Sequence, residues 1–378
     1  MPKITGIALP ACYIHIPFCI TKCRYCNFFS VEKNGCDTDR YMMALLEECE
    51  EQRDTLFDTV YVGGGTPTCL DTASLKELFE GLADTFDMQQ VQEYTVEANP
   101  GTVQTEKLAV LQANGVNRLS IGCQSFDNAV LDFLGRIHSA DDSRNTVEKA
   151  RVQGFSNISI DIIYGVPGQT VQDVERDIKE ACSLEPEHIS CYQLSAEKGT
   201  LLAADIERGI CELPDEPLIC DMDRAVCAIL DSRGYKRYEI SNFAGKGFES
   251  LHNIHYWEGD EYAGFGAGAV SMRRGKRWKN AEDIGLYTKC SPASSAKLEY
   301  EECLTGVQRE QELLMTGLRM VKGISDTDFR KKTGGSLLTY RSVFESLARD
   351  GFIEYSGFHV RMTSQGFPLL DEILLKIF

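Results

Sequence analysis

The sequence predicts an α/β chain: a partial (β/α)6, TIM-like barrel followed by a mostly helical, winged-helix-like C-terminal domain. Three observations predict it. Short β-branched or aromatic runs alternate six times with amphipathic stretches between Tyr13 and about Gly234. The polar residues Glu97, Gln124, Asp161 and Tyr192 fall at or near the C-terminal ends of those runs. After Thr305 the alternation gives way to helical periodicity. Repeated strand-then-helix units imply right-handed parallel crossovers. Polar groups collected at strand C-termini mark the rim where βα barrels keep their active sites. Open doubly wound sheets also bind ligands there; the six-unit partial barrel is favoured over one.

The strand runs are YIHIPF, DTVYVGG, EYTVEAN, NRLSIGCQS, NISIDIIYG and HISCYQL, each short and rich in residues that suit a pleated surface. Between them, DRYMMALLEECEEQRD, TASLKELFEGLADTF, TEKLAVLQANG, SRNTVEKARVQG and VQDVERDIKEACS carry helical apolar spacing. Ser241 to Asn280, dense in Gly, aromatics and His, reads as a loop-rich connector. The predicted division is therefore a barrel domain over 1–240, a connector with an HNxxYW motif over 241–304, and a small domain over 305–378. In the last, VQREQELLMTGLRM, SDTDFRKKTGG and LLTYRSVFESLARDG predict helices, FIEYSGFHVRMT a hairpin, and a closing helix follows. Ten Lys/Arg against nine Asp/Glu leave it near neutral, which favours a structural lid over a nucleic-acid reader.

Composition narrows the function classes. At 378 residues the chain exceeds one average domain. A net charge of -18 repels polyanions and argues against a nucleic-acid partner. No apolar run approaches the roughly 18 residues of a membrane span. The opening MPKITGIALP lacks the apolar core of a secretory signal, so a cytoplasmic location is expected. There the 15 cysteines stay reduced, and a cluster of them points to metal before disulfide.

That cluster is CITKCRYC, with Cys19, Cys23 and Cys26. Structural zinc wants four ligands, and no fourth Cys or His follows at ligand spacing, although His15 lies just upstream. A redox pair would use Cys23 and Cys26 and leave Cys19 unexplained. A cubic iron–sulfur cluster usually takes four thiolates, so three leave one iron open to an exogenous ligand. Spacing alone leaves all three readings standing. Downstream, GGGTPT places Gly63, Gly64 and Gly65 beyond a strand, where backbone groups can approach a ligand, or where the chain simply turns tightly. No G-x-G-x-x-G or Walker lysine accompanies them.

CITKCRYC resembles the cluster loop of the radical S-adenosylmethionine (SAM) superfamily. YVGGGTPT, VEANPGT, RLSIGCQSF, LGRIH, DIIYGVPGQT and YQLSAEKGT resemble its coproporphyrinogen III dehydrogenase-related branch, so the likeness spans nearly the whole chain. The resemblance implies a [4Fe-4S] cluster on Cys19, Cys23 and Cys26, with its open iron chelated by the amino and carboxylate groups of SAM. It also implies SAM contacts from Tyr13, Tyr25, Gly64, Gly65, Thr66, Glu97, Gln124, Arg136 and Asp161. The residue types agree: a rim carboxylate accepts ribose hydroxyls, and a guanidinium fork suits a carboxylate.

Within the branch, CRYCNF puts Phe28 where the decarboxylating enzymes carry a fourth cysteine, and Cys19 comes without their longer preceding arm. These departures leave open whether the chain is an enzyme. CNF and SLHNIHYW are instead similar to the HemW haem chaperones. That likeness implies haem as a ligand, His252 as its axial ligand with His255 as the rival, and haem-acceptor proteins as partners of a monomer or homodimer. Arg273, Arg274, Lys276, Arg277 and Lys279 would then pair with haem propionates.

Overall fold

A computed structural model describes residues 9–291 and 294–378. Each of the six apolar runs becomes a strand: β1 (Ala11–Ile16), β2 (Thr59–Gly64), β3 (Glu93–Ala98), β4 (Arg118–Gln124), β5 (Ile158–Tyr164) and β6 (His188–Gln193). They lie side by side in chain order, every pair parallel. A doubly wound sheet reverses its order at a switch point. This one does not, so successive crossovers of one hand keep the helices on one face and leave the other to curl inward.

The helices between strands are α1 (Thr38–Glu50), α2 (Thr72–Thr85), α3 (Thr105–Ala113), α4 (Asn128–Leu134), α5 (Ala140–Gln153) and α6 (Val171–Ser183). Helix α5 starts three residues before the predicted stretch, because Ser139 and Asp142 form a reciprocal cap with the backbone; Thr170 and Asp173 do the same for α6.

Strand pleating sorts the side chains cleanly. Ile14, Val60, Val62, Val96, Leu119, Ile121, Ile160 and Ile189 pack with Leu45, Leu75, Leu78 and Ile178 of the helices in the main core. The intervening residues Tyr61, Glu97, Arg118, Ser120, Gln124, Asp161 and Tyr192 line a cavity on the other face. Polar inner positions and apolar outer ones are therefore written into the same strands.

The segment expected to be a loop-rich connector is instead part of the sheet. After α7 (Leu201–Glu207) and α8 (Glu216–Ser232), β7 (Lys236–Arg237) and β8 (Asn242–Ala244) extend one edge, β8 antiparallel to β6. On the other side β9 (Tyr262–Phe265) joins β1 in parallel. β10 (Val270–Arg273), β11 (Lys276–Asn280) and β12 (Leu298–Cys303) then continue as an antiparallel meander. The 12-stranded sheet ends in β12 and β7, which do not pair with each other, so the barrel is open. Strands this short, broken by turns at Gly266, Gly268 and Gly275 with positive φ, hold too few residues to display a period.

Helix α9 (Leu251–Glu258) crosses the segment, and α10 (Ile284–Lys289) packs on α1. The C-terminal unit comprises α11 (Gly306–Gly317), β13 (Ile324–Ser325), α12 (Asp326–Thr333), α13 (Arg341–Arg349), the hairpin β14 (Ile353–Tyr355) and β15 (His359–Met362), and α14 (Leu370–Ile377). It has its own core around Leu314, Phe329, Phe344 and Val360. Among the described residues, no helix is long and apolar enough to cross a membrane.

Candidate cofactor site

The inner face of the sheet encloses a cavity of about 420 Å³ whose mouth is the loop after β1, with Cys19, Cys23 and Cys26 on its wall. Backbone bonds fix that loop. Gly65 N–H donates to Ile16 O (2.9 Å), Thr66 N–H to Phe18 O (2.8 Å), and Leu202 N–H to Arg24 O (2.9 Å). Arg24 also pairs with Asp205 and lies 5.0 Å from the Phe133 ring centroid. Cys19 Sγ stands 3.8 Å from Thr66 Oγ1, and Arg136 Nη1 donates to Cys23 Sγ at 3.3 Å. Burial pushes the Cys19 and Cys26 thiols up, so metal binding there must release protons. No three Cys, His, Asp or Glu side chains among the described residues converge as one metal ion requires. The three thiols flank a shared space instead, which suits a multi-iron cluster that takes each thiolate on a different iron.

Beyond β2, Gly64 has φ +114°, and a Cβ there would lie 2.5 Å from the His15 ring; one on Gly65 would lie 2.6 Å from Phe18 O. Only glycine fits both. Gly64 N–H donates to Glu97 Oε2 (3.0 Å) and the Tyr61 hydroxyl to Oε1 (2.8 Å). Burial nevertheless lifts the Glu97 carboxyl to about 7. Asp161 is raised by burial too, although Ser120 Oγ donates to it at 3.0 Å. Gln124 adopts φ +67° where the β4–β5 register shifts after Ile121, a bulge that re-aims the strand end. Arg136 Nη2 bonds Gly122 O at 2.8 Å, holding the guanidinium over the same rim.

Of the nine residues expected to meet SAM, Tyr25, Gly64, Gly65, Thr66, Glu97, Gln124, Arg136 and Asp161 line the cavity. Tyr13 does not: it sits behind Tyr61, stacked at 6.1 Å between centroids and hydrogen-bonded to His15 Nδ1 at 3.0 Å. Tyr61, Arg118 and Ser120 also line it and were not singled out from sequence, and so does Asn253, which sequence placed in the HNxxYW motif rather than in the cofactor site. Those three were signalled by alternation within their strand runs.

The motif SLHNIHYW forms α9, which closes the floor of the barrel at the N-terminal ends of β2 and β3. The Glu93 carboxylate accepts from Leu251 N–H (2.8 Å), His252 N–H (3.2 Å) and Ser250 Oγ (3.2 Å). His252 is 1% exposed, with Nδ1 bonded to Thr59 Oγ1 (2.8 Å), Nε2 to the Tyr256 hydroxyl (3.1 Å) and its ring stacked on Tyr61 at 4.9 Å. Burial lowers its pKa to about 3. Both ring nitrogens are engaged, so the expected haem ligand is here a structural plug. His255 is also committed, held between Asp260 (3.0 Å) and Asp58 (3.3 Å). Three of the five cations in the basic run are already paired: Lys276 with Glu301 (2.7 Å), Arg277 with Glu302 (3.3 Å) and Glu312, and Lys279 with Glu282 (2.8 Å) and Glu299 (3.2 Å), whereas Arg273 bonds the neutral Gln52 Oε1 (2.9 Å).

Residues 13–181 match the Radical SAM superfamily, and residues 304–369 match the HemN C-terminal domain. Over 365 residues the chain is 37% identical to the heme chaperone HemW of Lactococcus lactis, covering 96% of both chains. It belongs to the HemW family. A second HemW, from Bacillus subtilis, is 36% identical over 371 residues, covering 97% of this chain and 98% of that one. The fold is shared with Escherichia coli coproporphyrinogen III oxidase (HemN), at a TM-score of 0.83 and 23% identity over 98% of this chain and 90% of that one. As a radical SAM protein, a HemW-family chain is expected to hold a [4Fe-4S] cluster and SAM. The residues present fit both: three thiols at the mouth, and a cavity below them whose walls carry a glycine turn, the carboxylates of Glu97 and Asp161 and the guanidinium of Arg136.

Proposed function

We propose that this chain binds haem together with a SAM-chelated [4Fe-4S] cluster on Cys19, Cys23 and Cys26, and passes haem to acceptor proteins. The observation that carries the reading is the mouth of the cavity: three thiols, and Phe28, 65% exposed, where a fourth thiol would stand in the decarboxylating branch. Full-length relatives named as heme chaperones support the haem half. When bound, the cluster supplies an open iron and an electron. Arg136 would offset thiolate charge at Cys23, the Glu97 carboxylate would accept from the N–H of the iron-bound SAM amine, Asp161 would accept ribose hydroxyls, and the Gly64–Thr66 backbone would leave room for the ligand.

Titration of anaerobically reconstituted protein with haem tests this. A saturable Soret band is expected, lost on addition of a haem-free acceptor protein and retained in His252→Gln, whose side chain can keep the floor bonds. Absence of the band in the unaltered protein would sink the haem reading. So would conversion of coproporphyrinogen III to protoporphyrinogen in the presence of SAM and a reductant, which would make the chain a catalyst of that reaction.

A further inference from the structure

Arg118 opens β4 and reaches into the barrel from the floor, 2% exposed and on the cavity wall. Among the described residues its guanidinium has no hydrogen-bond or ion-pair partner, and its Nε is fully buried without one. Glu93 and Asp161 lie near enough to favour its charge, but no carboxylate bonds it: Glu93 accepts from the N-terminus of α9 (2.8 Å to Leu251 N), Glu97 from Tyr61 (2.8 Å), and Asp161 from Ser120 (3.0 Å). Buried charges are ordinarily paired, because desolvation without a partner is costly. A guanidinium whose donors are unused beside an open space can bind a ligand there, and its planar fork matches a carboxylate. The hydroxyls of Tyr192 and Ser120 and the amide of Asn253 line the same cavity and can complete such a shell.

We infer that Arg118 forms a carboxylate subsite on the floor of the cavity, and that the carboxylate it takes is a propionate arm of the tetrapyrrole; this rests on the haem reading above. SAM is the other source of a carboxylate. Its single carboxylate is expected on the cluster at the mouth, whereas Arg118 starts from the opposite end of β4, its Cα six residues before that of the rim residue Gln124 and at most about 20 Å from it along the bulged strand. A ligand anchored at the thiols leaves Arg118 to a second carboxylate.

The test compares haem with haem dimethyl ester, whose propionates carry no charge, by visible titration of the full-length reconstituted protein, with SAM affinity measured alongside by equilibrium dialysis. The unaltered protein should prefer the diacid by about tenfold or more, the ratio that 1.4 kcal/mol produces. Arg118→Met should abolish the preference by weakening the diacid alone, with SAM affinity kept within about twofold, and Arg118→Lys should fall between. Equal binding of diacid and ester by the unaltered protein, or an undiminished preference in Arg118→Met, overturns the subsite. A loss confined to SAM in Arg118→Met assigns the guanidinium to SAM and overturns it as well. If Arg118→Met fails to fold, the ratio in the unaltered protein and its change in Arg118→Lys decide. No Soret band with either porphyrin removes the haem reading itself, whereas a band indifferent to esterification removes only Arg118.

Discussion

Glu97 shows how one side chain can couple stability and ligand binding with opposite signs. Burial lifts its carboxyl to about 7 even though Tyr61 and Gly64 both donate to it. The folded pKa stands above the unfolded value of about 4.3, so the folded chain holds the extra proton between the two. Its contribution to stability is complete below about pH 4.3 and lost as pH rises through about 7. Glu97→Gln is neutral throughout, and should gain about 1–3 kcal/mol over the unaltered protein at pH 8 in urea unfolding while matching it near pH 4. Coincident midpoints at pH 8 would contradict the shift. SAM affinity should run the other way, rising across the same window as the carboxylate forms, and Glu97→Gln should flatten that slope. Gly64 is the second sensitive residue: a methyl at φ +114° meets the His15 ring at 2.5 Å. Gly64→Ala should therefore lower stability by about 2 kcal/mol or more, and an unchanged melting temperature would show that the turn relaxes freely.

Helix α9 is an element defined by partners remote in sequence. Glu93→Ala would strand Ser250 Oγ and two backbone N–H groups in a buried floor. Each lost partner costs about 1–3 kcal/mol, so a total near 3 kcal/mol or more is expected in denaturant midpoint. Glu93→Gln, which keeps an acceptor, should recover part of it; equal loss in both variants would show that charge at the helix N-terminus, not hydrogen bonding, holds α9. The same helix marks the limit of what was legible in the sequence. The six parallel strands were readable because Val60, Leu119 and Ile160 alternate with polar neighbours, and the cluster loop because three thiols crowd into eight residues. A histidine amid aromatics, by contrast, looks alike as a metal ligand and as a stacked plug. What separates the two is Thr59, 193 residues from His252, and Glu93; no local pattern encodes such pairings. Arg118 and Tyr61 were hidden for a related reason: alternation shows which strand residues share a face, but not which of them meets open space.

At the scale of the whole molecule, α9 joins the barrel floor to the C-terminal unit. Lys332 of α12 bonds Asp260 Oδ1 and Glu258 O, both at 2.6 Å, Arg309 of α11 reaches Gly259 O at 2.5 Å, and His255 bridges Asp260 and Asp58. Burial alone would raise the Asp260 carboxyl, yet His255 and Lys332 hold it down at about 2. Its contribution is therefore present above about pH 3.9 and lost as pH falls toward 2. Burial opposes charge on His255, but Asp260 and Asp58 together raise its pKa. That contribution is complete below about pH 6.5 and lost as pH rises through the raised value. The two windows overlap between about pH 4 and 6.5, where the joint should be tightest. Asp260→Asn removes the anion that both cations share. It should destabilise the chain by about 3 kcal/mol near pH 5.5, and by less at alkaline pH, once His255 has lost its proton in either protein. Because Glu97 is common to both, subtracting one pH profile from the other isolates the joint. Limited proteolysis near residue 304 at pH 5.5 should accelerate in Asp260→Asn if the C-terminal unit loosens as a body. A stability difference independent of pH would instead mean that Lys332 alone carries the contact, with His255 contributing no charge to it.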